Sequence, residues 1–203
     1  MMQPAQIIKE HEERSGLYAR FGYDLDKERA AVIRAAGPLN GDILEIGPGR
    51  GNLTLALARE GLKVVAVDIE QAKIDQAAAL LAAYGMEDRV CFRKEDAHQL
   101  SFPDRSFDFI FCANVVHHLE GVYQVLEEML RVCRPGGSLI IGDFHPAGLK
   151  VIEQIHQARG QGHHSGGMMP EEVQRFFEAK GLDAKKVETD IQTILTITKQ
   201  ACL

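Results

Sequence analysis

The chain has 203 residues, of which 45% are apolar, and it carries a formal net charge of -6 at pH 7. This size suits one globular domain with a sizeable core and leaves no room for a second full domain. The negative charge and the lack of a long Lys/Arg cluster disfavour a nucleic-acid-binding protein. No apolar run is long enough to span a membrane and no signal peptide is evident, so we expect a cytoplasmic protein.

The first 38 residues differ in pattern from the rest of the chain. Helices are predicted over Ile7 to Arg14 and Leu25 to Ala36, with a linker from Gly16 to Tyr23 between them. Gly37-Pro38 is expected to end the second helix. Two interpretations remain open for this segment: it packs against the remaining domain as an appendage, or it covers a ligand-binding site as a lid.

Residues 39–203 alternate short apolar runs with amphipathic segments, which is typical of a parallel sheet covered by helices on both faces. The predicted strands are Asp42 to Ile46, Lys63 to Asp68, Val90 to Lys94, Phe107 to Cys112, Ser138 to Asp143, Lys185 to Thr189 and Thr193 to Lys199. The predicted helices are Leu53 to Glu60, Glu70 to Tyr84, a segment around Val122 to Leu130, Leu149 to Ala158 and a segment that starts at Pro170. The last two strands are expected to form a closing hairpin.

Three glycines follow the first predicted strand at every second position, in the sequence Glu45-Ile46-Gly47-Pro48-Gly49-Arg50-Gly51. Glycine lacks a Cβ atom, so the backbone can turn sharply there and lie against a ligand. A dinucleotide-binding loop would place its third small residue at position 52, where this chain has Asn52. The spacing therefore favours a different nucleotide cofactor.

This loop and four later motifs resemble those of the class I S-adenosylmethionine-dependent methyltransferases, in the small-molecule, UbiE-like (type 11) branch. The later motifs are Asp68-Ile69, Glu95-Asp96-Ala97, Ala113 to Leu119 and Arg134-Pro135-Gly136-Gly137. The resemblance implies an α/β fold with a doubly wound, mostly parallel seven-stranded Rossmann-like sheet over residues 39–203. It also implies an N-terminal helical lid over residues 1–38 and S-adenosyl-L-methionine as the cofactor.

The resemblance further implies a cofactor-binding set: Glu45, Gly47, Gly49, Gly51, Asp68, Ile69, Asp96, Ala97 and Asn114. Glu45 would serve the methionine amino group, and the glycines would let the backbone approach the amino acid and the ribose. Asp68 would accept from the ribose hydroxyls, while Ile69 and the Asp96-Ala97 step would contact the adenine. Simpler interpretations stay open for the two aspartates, namely a helix cap for Asp68 and a solvated turn for Asp96.

Histidines cluster after the fifth predicted strand, in a region where an acceptor substrate would bind. His145, His163 and His164 are the candidate catalytic residues, because an imidazole can remove a proton from a thiol or hydroxyl acceptor near neutral pH. A metal site that also uses His117, His118 or Asp143 is a second interpretation, and a solvated loop with a core histidine is a third. We expect no metal, because no tight ligand spacing appears. For His117 and His118 a structural role at a helix start is favoured.

The sequence thus predicts an enzyme that transfers a methyl group from S-adenosylmethionine to a small molecule. The motif Asn/Asp-Pro-Pro-Tyr is missing after the fourth strand, which argues against methylation of DNA bases or glutamine amides. A non-catalytic S-adenosylmethionine-binding regulatory module is the main alternative, and an NAD-linked oxidoreductase is a weaker one. Neither nucleic acid nor membrane is an expected partner, and a homodimer is compatible with the sequence.

Overall fold

The computed structural model describes residues 3–160 and 167–200. The helices are α1 (Pro4–Arg20), α2 (Leu25–Ala35), α3 (Asn52–Arg59), α4 (Gln71–Ala83), α5 (Val122–Val132), α6 (Pro146–Ala158) and α7 (Pro170–Glu178). The strands are β1 (Ile43–Ile46), β2 (Val64–Asp68), β3 (Val90–Lys94), β4 (Phe107–Ala113), β5 (Cys133–Phe144), β6 (Ala184–Glu188) and β7 (Gln192–Thr198). Short 3₁₀ turns cover Glu87–Arg89 and Val116–His118.

The seven strands form one sheet in the order β3-β2-β1-β4-β5-β7-β6. All neighbouring pairs are parallel except those of β7, which runs antiparallel to both β5 and β6. The predicted doubly wound fold and the closing hairpin are therefore confirmed. Strand order reverses between β1 and β4, and ligands of such sheets bind beside the carboxyl ends of the strands at this point.

Helices cover both faces of the sheet, as the near-continuous apolar runs of the strands require. On one face, Val32 of α2 and Leu53 and Leu57 of α3 pack on the sheet. On the other face, Val125 and Met129 of α5 pack with residues of α7. Among the described residues, no helix combines the length and the apolar character needed to cross a bilayer.

The predicted linker in the N-terminal segment is wrong. Helix α1 runs without interruption from Pro4 to Arg20, so Gly16 and Tyr18 lie inside it. A glycine inside a helix costs about 1 kcal/mol relative to alanine, and packing of the helix can offset this cost. Ile7 of α1 packs on the cluster that α3 and α4 form, which supplies that packing.

Two other boundaries differ from the prediction. Strand β5 starts at Cys133, before the Pro-Gly-Gly sequence, because Gly136 N donates to Lys199 O at 2.7 Å and Lys199 N donates to Gly137 O at 2.8 Å. Helix α6 starts at Pro146, three residues before the predicted start at Leu149. Proline at the first helical position is favourable, because the amide hydrogen that it lacks would have no partner in the helix.

Candidate functional site

The glycine loop connects β1 to α3 at the carboxyl edge of the sheet. Gly47, Gly49 and Gly51 all have positive φ values, of 69°, 53° and 81°, in the region that favours glycine. A Cβ atom on Gly47 would lie 2.7 Å from Val115, and one on Gly51 would lie 3.1 Å from Ala77. Apart from its chain neighbours, no heavy atom of the described residues lies within 4 Å of the corresponding position at Gly49, so that backbone faces open space there.

Glu45 lies on β1, directly before the glycine loop, and its side chain is only 2% exposed. Burial raises the pKa of its carboxyl group to about 7, while the Thr54 hydroxyl and the charge of Arg29 oppose this shift. Among the described residues, Oε2 of Glu45 has no hydrogen-bond partner. A buried carboxylate oxygen without a partner is costly, and a cationic or hydrogen-bond-donating ligand would remove this cost.

Asp68 ends β2, the strand next to β1. Its Oδ1 accepts a hydrogen bond from Glu70 N at 3.0 Å, just before α4 begins. The N-cap of α4 is Glu70, so Asp68 does not cap this helix, and its hydrogen bond closes a turn just before it. Ile69 is 58% exposed, so its large apolar side chain faces solvent at the end of β2. The pair offers an acceptor and an apolar surface side by side.

Asp96 and Ala97 follow β3. Glu95 N donates to Asp68 O at 3.1 Å, so this turn lies beside the end of β2. Oδ1 of Asp96 accepts from His98 N at 2.9 Å and lies 2.7 Å from Nδ1 of the His98 ring. These hydrogen bonds hold the pKa of the Asp96 carboxyl group below its usual value. Asp96 therefore stabilises its own turn with one oxygen.

Asn114 follows β4 and adopts a left-handed backbone conformation with φ of 58°. Its backbone N donates to Gly142 O at 2.7 Å. The side chain faces the N-terminal segment: its oxygen accepts from the Tyr23 hydroxyl at 2.7 Å and from Arg29 Nη2 at 3.1 Å. Its amide nitrogen donates to Gln192 Oε1 at 3.1 Å. No sequence pattern predicted this connection.

His117 and Asp143 form a buried pair at the carboxyl ends of β4 and β5. Nδ1 of His117 lies 2.6 Å from Oδ1 of Asp143, and both side chains are less than 5% exposed. The carboxylate is fixed from two directions, because Oδ2 accepts from His117 N at 3.1 Å and Oδ1 accepts from Phe144 N at 2.7 Å. A buried imidazole held by a carboxylate has a fixed ring orientation, which is what a proton acceptor requires.

His145 is the N-cap of α6. Its Nδ1 accepts a hydrogen bond from Gly148 N at 3.1 Å, and its Nε2 lies 3.3 Å from Thr189 O, to which it can donate. Both ring nitrogens are therefore engaged in fixing the helix start. His163 and His164 lie outside the described residues. Gly167, the first described residue after them, donates through its backbone N to His117 O at 2.9 Å.

Metal ligation gains no support from the described side chains. Within residues 3–160 and 167–200, no three His, Cys, Asp or Glu side chains group as a metal site requires. Cys91, Cys112 and Cys133 are free thiols. The expected absence of a metal stays a prediction.

Sequence reasoning favoured a structural role for His117 and considered Asp143 only as a possible metal ligand. A usable signal existed for Asp143: it is an acidic residue in an apolar strand whose carboxyl end faces the predicted site. Tyr23 and Arg29 were not among the predicted cofactor or catalytic residues, and their shared partner Asn114 lies far away in the chain.

A family model described as a methyltransferase domain matches residues 44–141. Among curated proteins, the demethylmenaquinone methyltransferase of Clavibacter sepedonicus is 35% identical over 162 residues, which cover 75% of this chain and 63% of the relative. The 27-O-demethylrifamycin SV methyltransferase of Amycolatopsis mediterranei (strain S699) is 32% identical over 125 residues, covering 59% of this chain and 46% of the relative. The matches thus span about half the length of these relatives.

Solved structures show the same architecture. A putative S-adenosyl-L-methionine-dependent methyltransferase from Methanococcus maripaludis superposes with a TM-score of 0.73 at 19% identity. This superposition covers 99% of this chain and 95% of the other. At this identity the likeness concerns the fold.

Proposed function

Because the chain belongs to the class I S-adenosylmethionine-dependent methyltransferases, we propose that it transfers a methyl group from S-adenosylmethionine to a small-molecule acceptor. The carboxylate of Glu45 carries this proposal. It is buried at the end of β1, beside the glycine loop, and among the described residues its Oε2 has no partner. The amino group of the cofactor, directly or through bound water, offers the hydrogen bond that this oxygen lacks.

The remaining cofactor residues fit the same ligand. Asp68 keeps one carboxylate oxygen outside its hydrogen bond to Glu70 N, and this oxygen serves the ribose hydroxyls. Ile69 offers an exposed apolar surface for the adenine, and Asp96 and Ala97 form hydrogen bonds to the edge of that ring. Gly49 leaves room for the ligand along its backbone. These roles rest on the family motifs together with the geometry.

Bound S-adenosylmethionine supplies an activated methyl group on a sulfonium. The protein's residues then have to align the acceptor with that group and exclude water. Holding the acceptor in line lowers the barrier, because the loss of translational and rotational entropy occurs on binding and not in the reaction step. A hydroxyl or thiol acceptor must also lose its proton, for which a side chain near the strand ends is needed.

For this proton we favour His117 over the histidines that the sequence suggested. Asp143 holds the His117 imidazole at 2.6 Å in a buried setting. His145, by contrast, uses both ring nitrogens to cap α6 and to reach Thr189. His163 and His164 lie outside the described residues, so their predicted role stays a prediction. The pair supports an acceptor with an acidic O–H or S–H group.

Nucleic acid is a poor acceptor candidate, because a net charge of -6 would repel a phosphate backbone. A homodimer and a cytoplasmic location stay predictions.

Isothermal titration with S-adenosylhomocysteine and NAD tests the cofactor. Binding of the first and not the second supports the proposal, and the reverse would favour the oxidoreductase alternative. A screen of small hydroxyl, thiol and amine compounds, read by S-adenosylhomocysteine release, tests catalysis. Tight cofactor binding without turnover against any acceptor would favour the regulatory module.

A further inference from the structure

Buried polar side chains connect the N-terminal segment to the strand ends of the candidate site. Arg29 Nη2 donates to the Tyr23 hydroxyl at 3.1 Å, and both groups donate to the side-chain oxygen of Asn114. Gln192, whose oxygen accepts from Asn114, donates through Nε2 to Glu28 Oε2 at 2.9 Å. We call these five residues, Tyr23, Glu28, Arg29, Asn114 and Gln192, the latch.

The latch is shielded from water. Tyr23, Glu28, Arg29 and Gln192 are each at most 7% exposed. Removing one hydrogen-bond partner from such a buried network is costly, because the remaining polar group cannot form a hydrogen bond to water instead. The ring of Tyr23 is also fixed, since it stacks on Tyr18 at 5.6 Å and meets Phe144 edge-on at 5.7 Å.

Asn114 needs such support. Its φ of 58° belongs to the left-handed region, which asparagine enters more readily than most residues with a side chain but still at some cost. A residue persists there when its surroundings determine its conformation. At Asn114 the surroundings are the latch on the side chain and Gly142 O on the backbone N–H.

The latch also borders the residue that carries the proposed function. Strand β4 pairs with β1 so that Cys112 lies opposite Ile46, which brings Asn114 close to the end of β1. Arg29 lies near enough to Glu45 for its positive charge to lower the pKa of that carboxyl group. Residues of the N-terminal segment thus approach the site from the side of Glu45.

We infer that Tyr23 and Arg29 are positioning residues for the amino acid end of the cofactor, which act by holding Asn114 in its left-handed conformation. The inference rests on the proposed function and deepens it. Under this inference, Tyr23 and Arg29 support the pocket for the cofactor's amino acid and not the pocket for its adenosine.

Two ligands distinguish binding of the amino acid part of the cofactor from binding of its adenosine part. S-adenosylhomocysteine has both, whereas 5′-methylthioadenosine lacks the amino acid. Calorimetric titration of Tyr23→Phe should show S-adenosylhomocysteine binding weakened about tenfold, or about 1.4 kcal/mol. Its affinity for 5′-methylthioadenosine should stay within about twofold of wild type. Tyr18→Phe is the matched control, because it removes a hydroxyl from the ring stacked on Tyr23, and no hydrogen bond of that hydroxyl occurs among the described residues.

Asn114→Gly provides a second test, because glycine adopts a left-handed conformation freely and has no side chain for the latch to hold. Asn114→Gly and Tyr23→Phe should each weaken S-adenosylhomocysteine binding, and the double variant should lose little more than either one. Equal losses for both ligands would indicate general destabilisation and overturn the inference. Unchanged affinity in Tyr23→Phe, or full additivity, would also overturn it. Failure of the wild type to bind S-adenosylhomocysteine would instead reject the proposed function.

Discussion

Oδ1 of Asp143 lies 2.6 Å from Nδ1 of His117, although 26 residues separate the two positions in the chain. Parallel pairing of β4 with β5 brings them together, because Cys112 lies opposite Ile141 and both strands end at the same edge of the sheet. Their burial removes the imidazole from bulk water, where a proton acceptor would be less well oriented.

The first prediction concerns this pair. His117→Gln should lower acceptor turnover by about 10²-fold or more, because the proton acceptor is lost. The dissociation constant of S-adenosylhomocysteine should stay within about threefold, which is below 1 kcal/mol. Steady-state kinetics at saturating S-adenosylmethionine measure the turnover, and calorimetric titration measures the affinity.

His145→Ala serves as the comparison. Loss of this N-cap should cost roughly 1 kcal/mol of folding stability, seen as a lower melting temperature, with turnover retained. If His145→Ala or the double variant His163→Ala/His164→Ala loses turnover while His117→Gln does not, the base is among the histidines that the sequence suggested.

The second prediction concerns pH and Glu45. Burial raises the pKa of this carboxyl group from 4.5 to about 7, so the ligand-free protein holds a proton there that the unfolded chain releases. The resulting stabilisation is fully present below pH 4.5 and disappears as the pH rises through about 7. Glu45→Gln should therefore be more stable than wild type at pH 8, by roughly 1 to 3 kcal/mol in urea unfolding.

The same carboxylate should make cofactor binding depend on pH. Binding to an ammonium group needs the ionised form, so wild-type affinity for S-adenosylhomocysteine should increase between pH 6 and pH 8. Glu45→Gln should bind weakly and lose this dependence. Equal affinity of wild type at both pH values would show that the ligand does not meet this carboxylate.

The third prediction concerns Asp68. Asp68→Ala should weaken S-adenosylhomocysteine binding by roughly 1.5 to 3 kcal/mol, the range for hydrogen bonds to a charged group. Glu70→Ala is the matched control, because it removes the same charge from an exposed position two residues later. If both variants bind equally well, Asp68 only stabilises the turn before α4.

The fourth prediction concerns Gly49. Gly49→Val should abolish cofactor binding, because a branched side chain would enter the open space beside the loop and strain a φ of 53°. Gly61→Val separates these effects, since Gly61 also has a positive φ and open surroundings but lies at the end of α3. Calorimetry should show binding in Gly61→Val despite its lower stability.

The fifth prediction is that activity needs no metal. Dialysis against a chelator should leave turnover unchanged, because the described histidines do not gather with other ligands into a metal site. Activity that is lost on chelation and restored by one divalent ion would contradict this, and it would identify residues around His163 and His164 as ligands.

Much of the architecture followed from local patterns. Apolar runs bounded by turn residues located all seven strands to within a few residues, apart from the early start of β5. The glycine spacing and Asp68 were correctly predicted to lie at the ends of β1 and β2, while their role in binding the cofactor stays a prediction. Such features depend on neighbours in the chain, which a sequence displays.

Features that depend on residues far apart in the chain could not be predicted from local sequence patterns. Gly16 suggested a break, but packing of α1 on α4 overrode its weak local preference. The roles of Asn114 and His117 arise from strand pairing and from the latch, and no single segment contains both partners. His145 was a missed local signal, since a polar residue followed by Pro146 marks a helix start.

The antiparallel insertion of β7 sets the order in which the site can form during synthesis. Gln192, the first residue of β7, lies opposite Phe144 of β5 and accepts from Asn114. A nascent chain that ends before Gln192 already contains the glycine loop, Asp68 and Asp96, but it lacks this support for the Asn114 backbone. We expect full cofactor affinity to develop only after the hairpin of β6 and β7 has left the ribosome and joined the sheet.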